Sequence, residues 1–184
     1  MMIRHLPNLL SALRLLAAPV AAWAILAGHD TAALLLFVTA SFSDLADGFI
    51  ARRWGLTSRA GAWLDPIADK LLMLFCFLAL WQTEAVPFWL VVLVIARDVA
   101  IMCGALLVKF FSLPLRIAPL AIGKATTAVL AVLVAARLLL LAFDIDAPHY
   151  VTAGCYTAAA FILLSGAAYG VLLLKLLFSG RHAA

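Results

Sequence analysis

Six stretches of the chain, roughly residues 8–27, 31–51, 62–82, 86–109, 122–143 and 150–177, are each apolar over about the 20 residues that a helix needs to cross a bilayer core. No other feature limits the fold so strongly. A backbone surrounded by lipid has to satisfy its own hydrogen bonds, and a helix does so within a single segment. The breaks between stretches hold the residues that end helices. Gly28-His29-Asp30 parts the first pair, Arg52 to Arg59 the second, and Gln82 to Pro87 forms a short turn. Phe111 to Pro119 carries two prolines, and Asp144 to Pro148 is acidic with a proline at its end. A secretory signal peptide is the alternative for the N-terminal stretch, since Arg4 precedes it. Its apolar run is longer than the roughly 7–15 residues of such signals, and more spans follow.

Composition agrees: 67% of the 184 residues are hydrophobic and 12% are charged, whereas a soluble domain is about half apolar. The expected fold is an all-α integral membrane protein of six transmembrane helices, with residues 1–184 forming one domain and no room for a second. Cys76, Cys103 and Cys155 lie in apolar segments, odd in number and without zinc spacing, and read as buried free thiols.

Charge orients the bundle. Arg4, Arg14, Arg52, Arg53, Arg59, Lys70, Lys109, Arg116, Lys124, Lys175 and Arg181, eleven of thirteen basic residues, fall on or near the side of the two termini. Asp30, Glu84, Asp144 and Asp146 fall on the other. The positive-inside rule then places both termini in the cytosol. The basic rim favours anionic lipid headgroups.

Against this background four aspartates stand out. Asp44, Asp47, Asp65 and Asp69 lie in DLADGFIARRWGLTSRAGAWLDPIADK, with the spacing D-x2-D-G-x2-A-R-x8-G-x3-D-x3-D. Carboxylates inside membrane segments are costly and mark function. Asp44 and Asp47 are three apart and Asp65 and Asp69 four apart, so each pair shares a helix face. Two adjacent helices can converge all four on one point, where they would repel one another unless cations lay between them. Oxygen ligands in that number suit Mg²⁺ or Mn²⁺. Asp44 lies eight residues before Arg52, about 12 Å along a helix, which makes a recess below the cytosolic headgroups. The reading is a divalent-metal site for a phosphate-bearing substrate. The other reading is an ion-translocation path or a set of buried ion pairs. Pairing requires bases at matching depth, and the motif offers mainly Arg52, Arg53 and Lys70 near its rim. A divalent-metal transporter usually holds its site at the midplane.

The residues around the acids have two readings each. Gly48 admits either a ligand or a neighbouring helix, and so does Ala51. Arg52, Arg53 and Arg59 either clamp phosphate bidentately or set topology. Gly61 either belongs to the site or starts the third span.

The segment from Asp44 to Asp69 resembles, at every fixed position, the signature of the class I CDP-alcohol phosphotransferases (CDP-alcohol phosphatidyltransferases). Pro7-Asn8, Ala96-Arg97-Asp98 and Gly123-Lys124-Ala125-Thr126-Thr127 extend the likeness loosely along the chain. The resemblance implies a homodimer of six-helix protomers with two metal ions per site, Mg²⁺ or Mn²⁺. It implies phosphatidyl transfer from CDP-diacylglycerol to an acceptor hydroxyl with release of CMP. Carried over, Asp44, Asp47, Asp65 and Asp69 become metal ligands, and Asp69 also the general base. Asn8, Asp47, Gly48, Ala51, Arg52 and Gly61 become donor-binding residues. Arg59, Arg97, Arg116 and Lys124 are the acceptor-side candidates, although Arg97 with Asp98 also reads as an internal ion pair and Lys124 as a topology residue.

Two branches stand nearest: CMP-forming cardiolipin synthases and phosphatidylglycerophosphate synthases. The glycerol-phosphate branch resembles A-R-E…R in the fourth span. Here Ala105 takes the place of that second arginine, which favours phosphatidylglycerol over glycerol 3-phosphate as acceptor. The expected partners are CDP-diacylglycerol, that acceptor, membrane lipids and a second copy of the chain, with no nucleic acid. The expected location is a bacterial inner membrane, with the active site facing the cytosol.

Overall fold

A computed structural model describes the backbone of residues 6–54, 61–110 and 120–179; within these, side chains are described except at 6–12, 44–54, 61–66, 105, 108–109, 173 and 175–179. The described residues form six α-helices and no strand. They are α1 (Leu6–Leu26), α2 (Asp30–Trp54), α3 (Gly61–Gln82), α4 (Phe88–Phe110), α5 (Ala121–Ala142) and α6 (Pro148–Ser179). Each expected span coincides with one of them. By length and composition, Ala121–Ala142 and Pro148–Leu172 qualify as membrane crossings, and Leu13–Leu26 and Asp30–Ser43 are shorter apolar stretches. The structure thus supports an all-helical, membrane-associated fold with two clear candidate spans among the described residues.

Local chemistry explains the ends. α1, α3 and α5 finish alike, in a residue with left-handed backbone: Gly28 (φ 73°), Glu84 (φ 57°) and Asp144 (φ 52°). In each case the following N–H reaches back five residues, as His29 to Ala24, Ala85 to Leu80 and Ile145 to Leu140, all at 2.8 Å. This closure satisfies carbonyls that a helix end leaves unpaired. Pro87 precedes α4, and Pro148 opens α6, where its missing N–H costs nothing. Pro66 is different: it is the sixth residue of α3, beyond the first turn, and has no N–H for the Ala62 carbonyl.

The chain divides into two compact units. The first comprises residues 1–86 and 134–147, and the second 87–133 and 148–184, so α5 contributes its first part to one and its last turns to the other. In the first unit α1 packs most extensively on α3, then on α2, while α2 touches α3 more lightly. Its core includes Ala18, Ala21, Ile25, Phe37, Leu72, Phe77 and Leu80, all at most 2% exposed. In the second unit α4 packs on α6. Trp89 stacks on Tyr156 with ring centres 5.6 Å apart. Thr126, fully buried, donates to the carbonyls of Ile122 (2.7 Å) and Phe161 (3.1 Å) and so joins α5 to α6.

One expectation about cysteine needs correction. Cys76 and Cys155 are buried free thiols, but Cys103 is exposed. It lies on the outer face of α4 beside exposed Met102. An apolar segment in a membrane protein has lipid as well as core to face, so apolar surroundings in sequence do not imply burial.

Candidate active site

The four aspartates fall on two helices of the first unit. Asp44 and Asp47 belong to α2, with Gly48, Ala51 and Arg52 following in the same helix. Asp65 and Asp69 belong to α3, which begins at Gly61. α2 and α3 touch each other, and both pack on α1. The backbone therefore provides two neighbouring helices, each with a carboxylate pair at one-turn spacing. The helix of Asp44 continues to Trp54, ten residues further, so Asp44 sits about 15 Å inside the end of α2.

Asp69 is half-buried and engaged in an interaction, and Lys70 beside it is exposed. The side chains of Asp44, Asp47, Asp65, Gly48, Ala51, Arg52 and Asn8 lie outside the described residues, as do Arg59 and Arg116 entirely. Among the described residues no three acids, histidines or cysteines cluster for a metal; of the four ligand candidates only the Asp69 side chain is among them. The donor set itself, four carboxylates on two touching helices, fits a hard divalent cation.

The acceptor-side candidates Arg97 and Lys124 belong to the second unit. Arg97 is 9% exposed and already engaged: Nη1 meets the Asp98 carboxylate at 2.8 Å and Nη2 donates to the Gly123 carbonyl at 3.1 Å. Its internal ion pair is thus present, and the second bond ties α4 to the start of α5. Lys124 is exposed.

The sequence reading missed Arg14. Counted there as a rim base, it is 3% exposed in α1 and has a partner of its own. It lies twelve residues before the end of α1, and Asp44 fourteen after the start of α2, across a short turn. At about 1.5 Å per residue the two backbones are at similar depth. A cation at the depth of the acids therefore exists, supplied from outside the motif. The signal was available: Arg14 follows two helical turns of the first span rather than preceding it.

An all-helical membrane protein carrying paired acids on adjoining helices belongs to a narrow class. The chain matches the family model for CDP-alcohol phosphatidyltransferase over residues 4–178, and it belongs to that family. It is 34% identical over 170 residues to a human protein named cardiolipin synthase (CMP-forming), covering 83% of this chain and 56% of the relative. The rat protein of that name is 37% identical over 149 residues, covering 72% and 49%. A rice protein, CDP-diacylglycerol--glycerol-3-phosphate 3-phosphatidyltransferase 1, chloroplastic, is 31% identical over 185 residues, covering 91% and 56%. The chain thus spans about half the length of these curated relatives. These three are eukaryotic, whereas a Streptomyces coelicolor protein named cardiolipin synthase (CMP-forming), 38% identical over 99 residues, is bacterial; the relatives therefore do not assign the expected bacterial inner membrane, while membrane association stands.

Proposed function

We propose that the protein is a phosphatidyltransferase of phospholipid biosynthesis. It would move the phosphatidyl group of CDP-diacylglycerol to an acceptor hydroxyl and release CMP. The family match over residues 4–178, which encloses the whole aspartate motif on adjoining helices α2 and α3, carries this reading. Asp44, Asp47, Asp65 and Asp69 would hold two divalent ions, Mg²⁺ or Mn²⁺, which when bound would offset charge developing on the leaving phosphate. Asp69 takes the proton of the acceptor hydroxyl as that oxygen bonds to the phosphatidyl phosphorus and the bond to the CMP oxygen breaks. Asn8, Gly48, Ala51, Arg52 and Gly61 would line the donor, with Arg52 able to bind phosphate by a bidentate contact. The proposed acceptor-side cations are Arg59, Arg97, Arg116 and Lys124; Arg97 engages Asp98 through Nη1 and the Gly123 carbonyl through Nη2, and its Nε has no hydrogen-bond partner.

We further propose that all six helices cross the bilayer with both termini and the aspartates on the cytosolic side, in a homodimer. The basic bias of that side supports this. Phosphatidylglycerol is the proposed acceptor, giving cardiolipin. Ala105 stands where a glycerol-phosphate enzyme resembling this chain carries an arginine, and two of the relatives bear the name cardiolipin synthase. The rice relative keeps glycerol 3-phosphate as the second reading. The test offers purified protein CDP-diacylglycerol with each acceptor in turn and identifies the lipid by mass. CMP with cardiolipin is expected. Phosphatidylglycerophosphate alone would transfer the assignment to the other acceptor. Absence of CMP, with uptake of divalent ions into liposomes, would replace the enzyme by a transporter.

A further inference from the structure

One face of α1 is buried in the first unit. Arg14, Ala18, Ala21, Ala22 and Ile25, spaced i, i+4, i+7, i+8 and i+11, are each at most 8% exposed, while Leu13 and Leu16 beside them are 52% and 65% exposed. Among the described residues α3 and α2 are the helices that pack on α1, so the guanidinium is held between α1 and those two. Its depth matches that of the acids. Residues 27–29 join α1 to α2, and residues 55–60 join α2 to α3. Six residues reach about 21 Å at about 3.5 Å each, whereas the 25 residues of α2 rise about 37 Å. α3 therefore starts near the end of α2 and runs in the direction of α1. Arg14 is the ninth residue of α1 and Asp69 the ninth of α3. Counted from the opposite ends, Arg14 is twelve residues before Leu26, Asp69 thirteen before Gln82, and Asp44 fourteen after Asp30. Positions 33, 37, 40 and 44 share one face of α2, and Ala33, Phe37 and Ala40 on that face are buried.

A buried cation and the carboxylate-bearing turns of α2 and α3 thus share one layer of the first unit. Charge decides what that cation does. Four ionised carboxylates repel one another, and two divalent ions balance them in full. With the ions bound, the positive charge of Arg14 is in excess; without them, it moderates the repulsion. We infer that Arg14 is the built-in counter-charge of the aspartate layer, a positioning residue that keeps α2 and α3 together in the metal-free protein and loosens metal binding. The inference rests on the metal reading above and adds to it a residue from outside the motif. Its consequence is a protein that stays folded when it loses metal and can exchange it. By linkage, a group that stabilises the metal-free form more than the metal-bound form weakens metal binding, so removing its charge tightens binding. An arginine that merely packed, or that oriented the ligands for metal, would do the reverse or nothing.

The experiment uses the full chain in detergent with Mn²⁺ as the probe and no lipid substrate. Wild type is compared with Arg14→Gln, which drops the charge but keeps N–H donors, and with Arg14→Lys, which keeps the charge. Free Mn²⁺ is read by electron paramagnetic resonance, and thermal unfolding is followed in chelator and in saturating Mn²⁺. Arg14→Gln should bind Mn²⁺ about fivefold more tightly than wild type, and Arg14→Lys within about twofold of it. The rise in unfolding midpoint on adding Mn²⁺ should be about 2–4 °C larger for Arg14→Gln than for wild type. Weaker or unchanged Mn²⁺ binding by Arg14→Gln overturns the counter-charge role and leaves the metal site intact. So does an equal loss of stability with and without Mn²⁺, failure to fold in both included. A wild-type protein that binds no Mn²⁺ overturns the metal reading, and this inference with it.

Discussion

Arg137 donates from Nε to the backbone carbonyl of Ala85 at 2.9 Å, joining the last turns of α5 to the residue that closes α3. Together with Arg97 it makes up the pair of basic residues outside the eleven that the sequence assigns to the side of the termini. Both turn out to hold backbone carbonyls. We expect Arg137→Leu to lower stability by about 1 kcal/mol, the scale of one half-exposed charged hydrogen bond. Thermal unfolding in detergent reads it, and an unchanged midpoint would show that the bond contributes nothing.

Arg14 should be far more sensitive. A guanidinium 3% exposed is desolvated, and removing it strands the group it engages. Arg14→Leu should destabilise by about 3 kcal/mol. Arg14→Lys, which keeps the charge but loses the planar fork, should lose less. Equal stability of all three proteins would remove any role for a buried cation beside α2 and α3.

Metal dependence follows from the carboxylates. Chelator should stop turnover, and Mg²⁺ or Mn²⁺ should restore it. Asp69→Asn should then lower kcat by at least about a hundredfold, the scale of a lost general base, with donor binding largely kept. Asp44→Asn and Asp47→Asn should weaken metal and donor binding together. Full activity in excess EDTA with no metal retained would defeat the metal assignment, and near-normal turnover of Asp69→Asn the base assignment.

Sidedness is directly accessible. Single cysteines in place of Asp30, Glu84 and Asp146 should react with impermeant reagents from the non-cytosolic side, and those at residues 59 and 116 only from the cytosol. Labelling of position 59 from the wrong side would reverse the placement of the aspartates.

Helix positions were legible because their punctuation is chemical. Gly28, Pro87 and Pro148 stand at breaks in hydropathy, and α1, α4 and α6 begin or end within two residues of them, whereas Pro19 and Pro66 lie inside α1 and α3. α2 overran its expected limit to Trp54, since a helix ends where hydrogen bonding stops, not where hydropathy changes. The aspartate motif was legible as a pattern, and its two helices lie in one unit as its spacing implied. What sequence did not reveal is tertiary. The contact of Tyr169 with Gly123 joins positions 46 apart, and no local pattern announces it. Arg14 and Cys103 were misjudged for a related reason. In a membrane protein, which face of an apolar helix meets protein and which meets lipid is decided by neighbours, not by the helix's own composition.

The three matching turns after α1, α3 and α5 have a practical consequence. Gly28 adopts its left-handed backbone without strain, but Glu84 and Asp144 adopt it against a steric penalty of roughly 1 kcal/mol each, and with acidic side chains at the negative end of a helix dipole. Glycine at 84 and at 144 should therefore raise the melting temperature, additively. Those two positions are handles for engineering a hardier protein, well suited to crystallisation or long assays, without altering a residue of the aspartate motif.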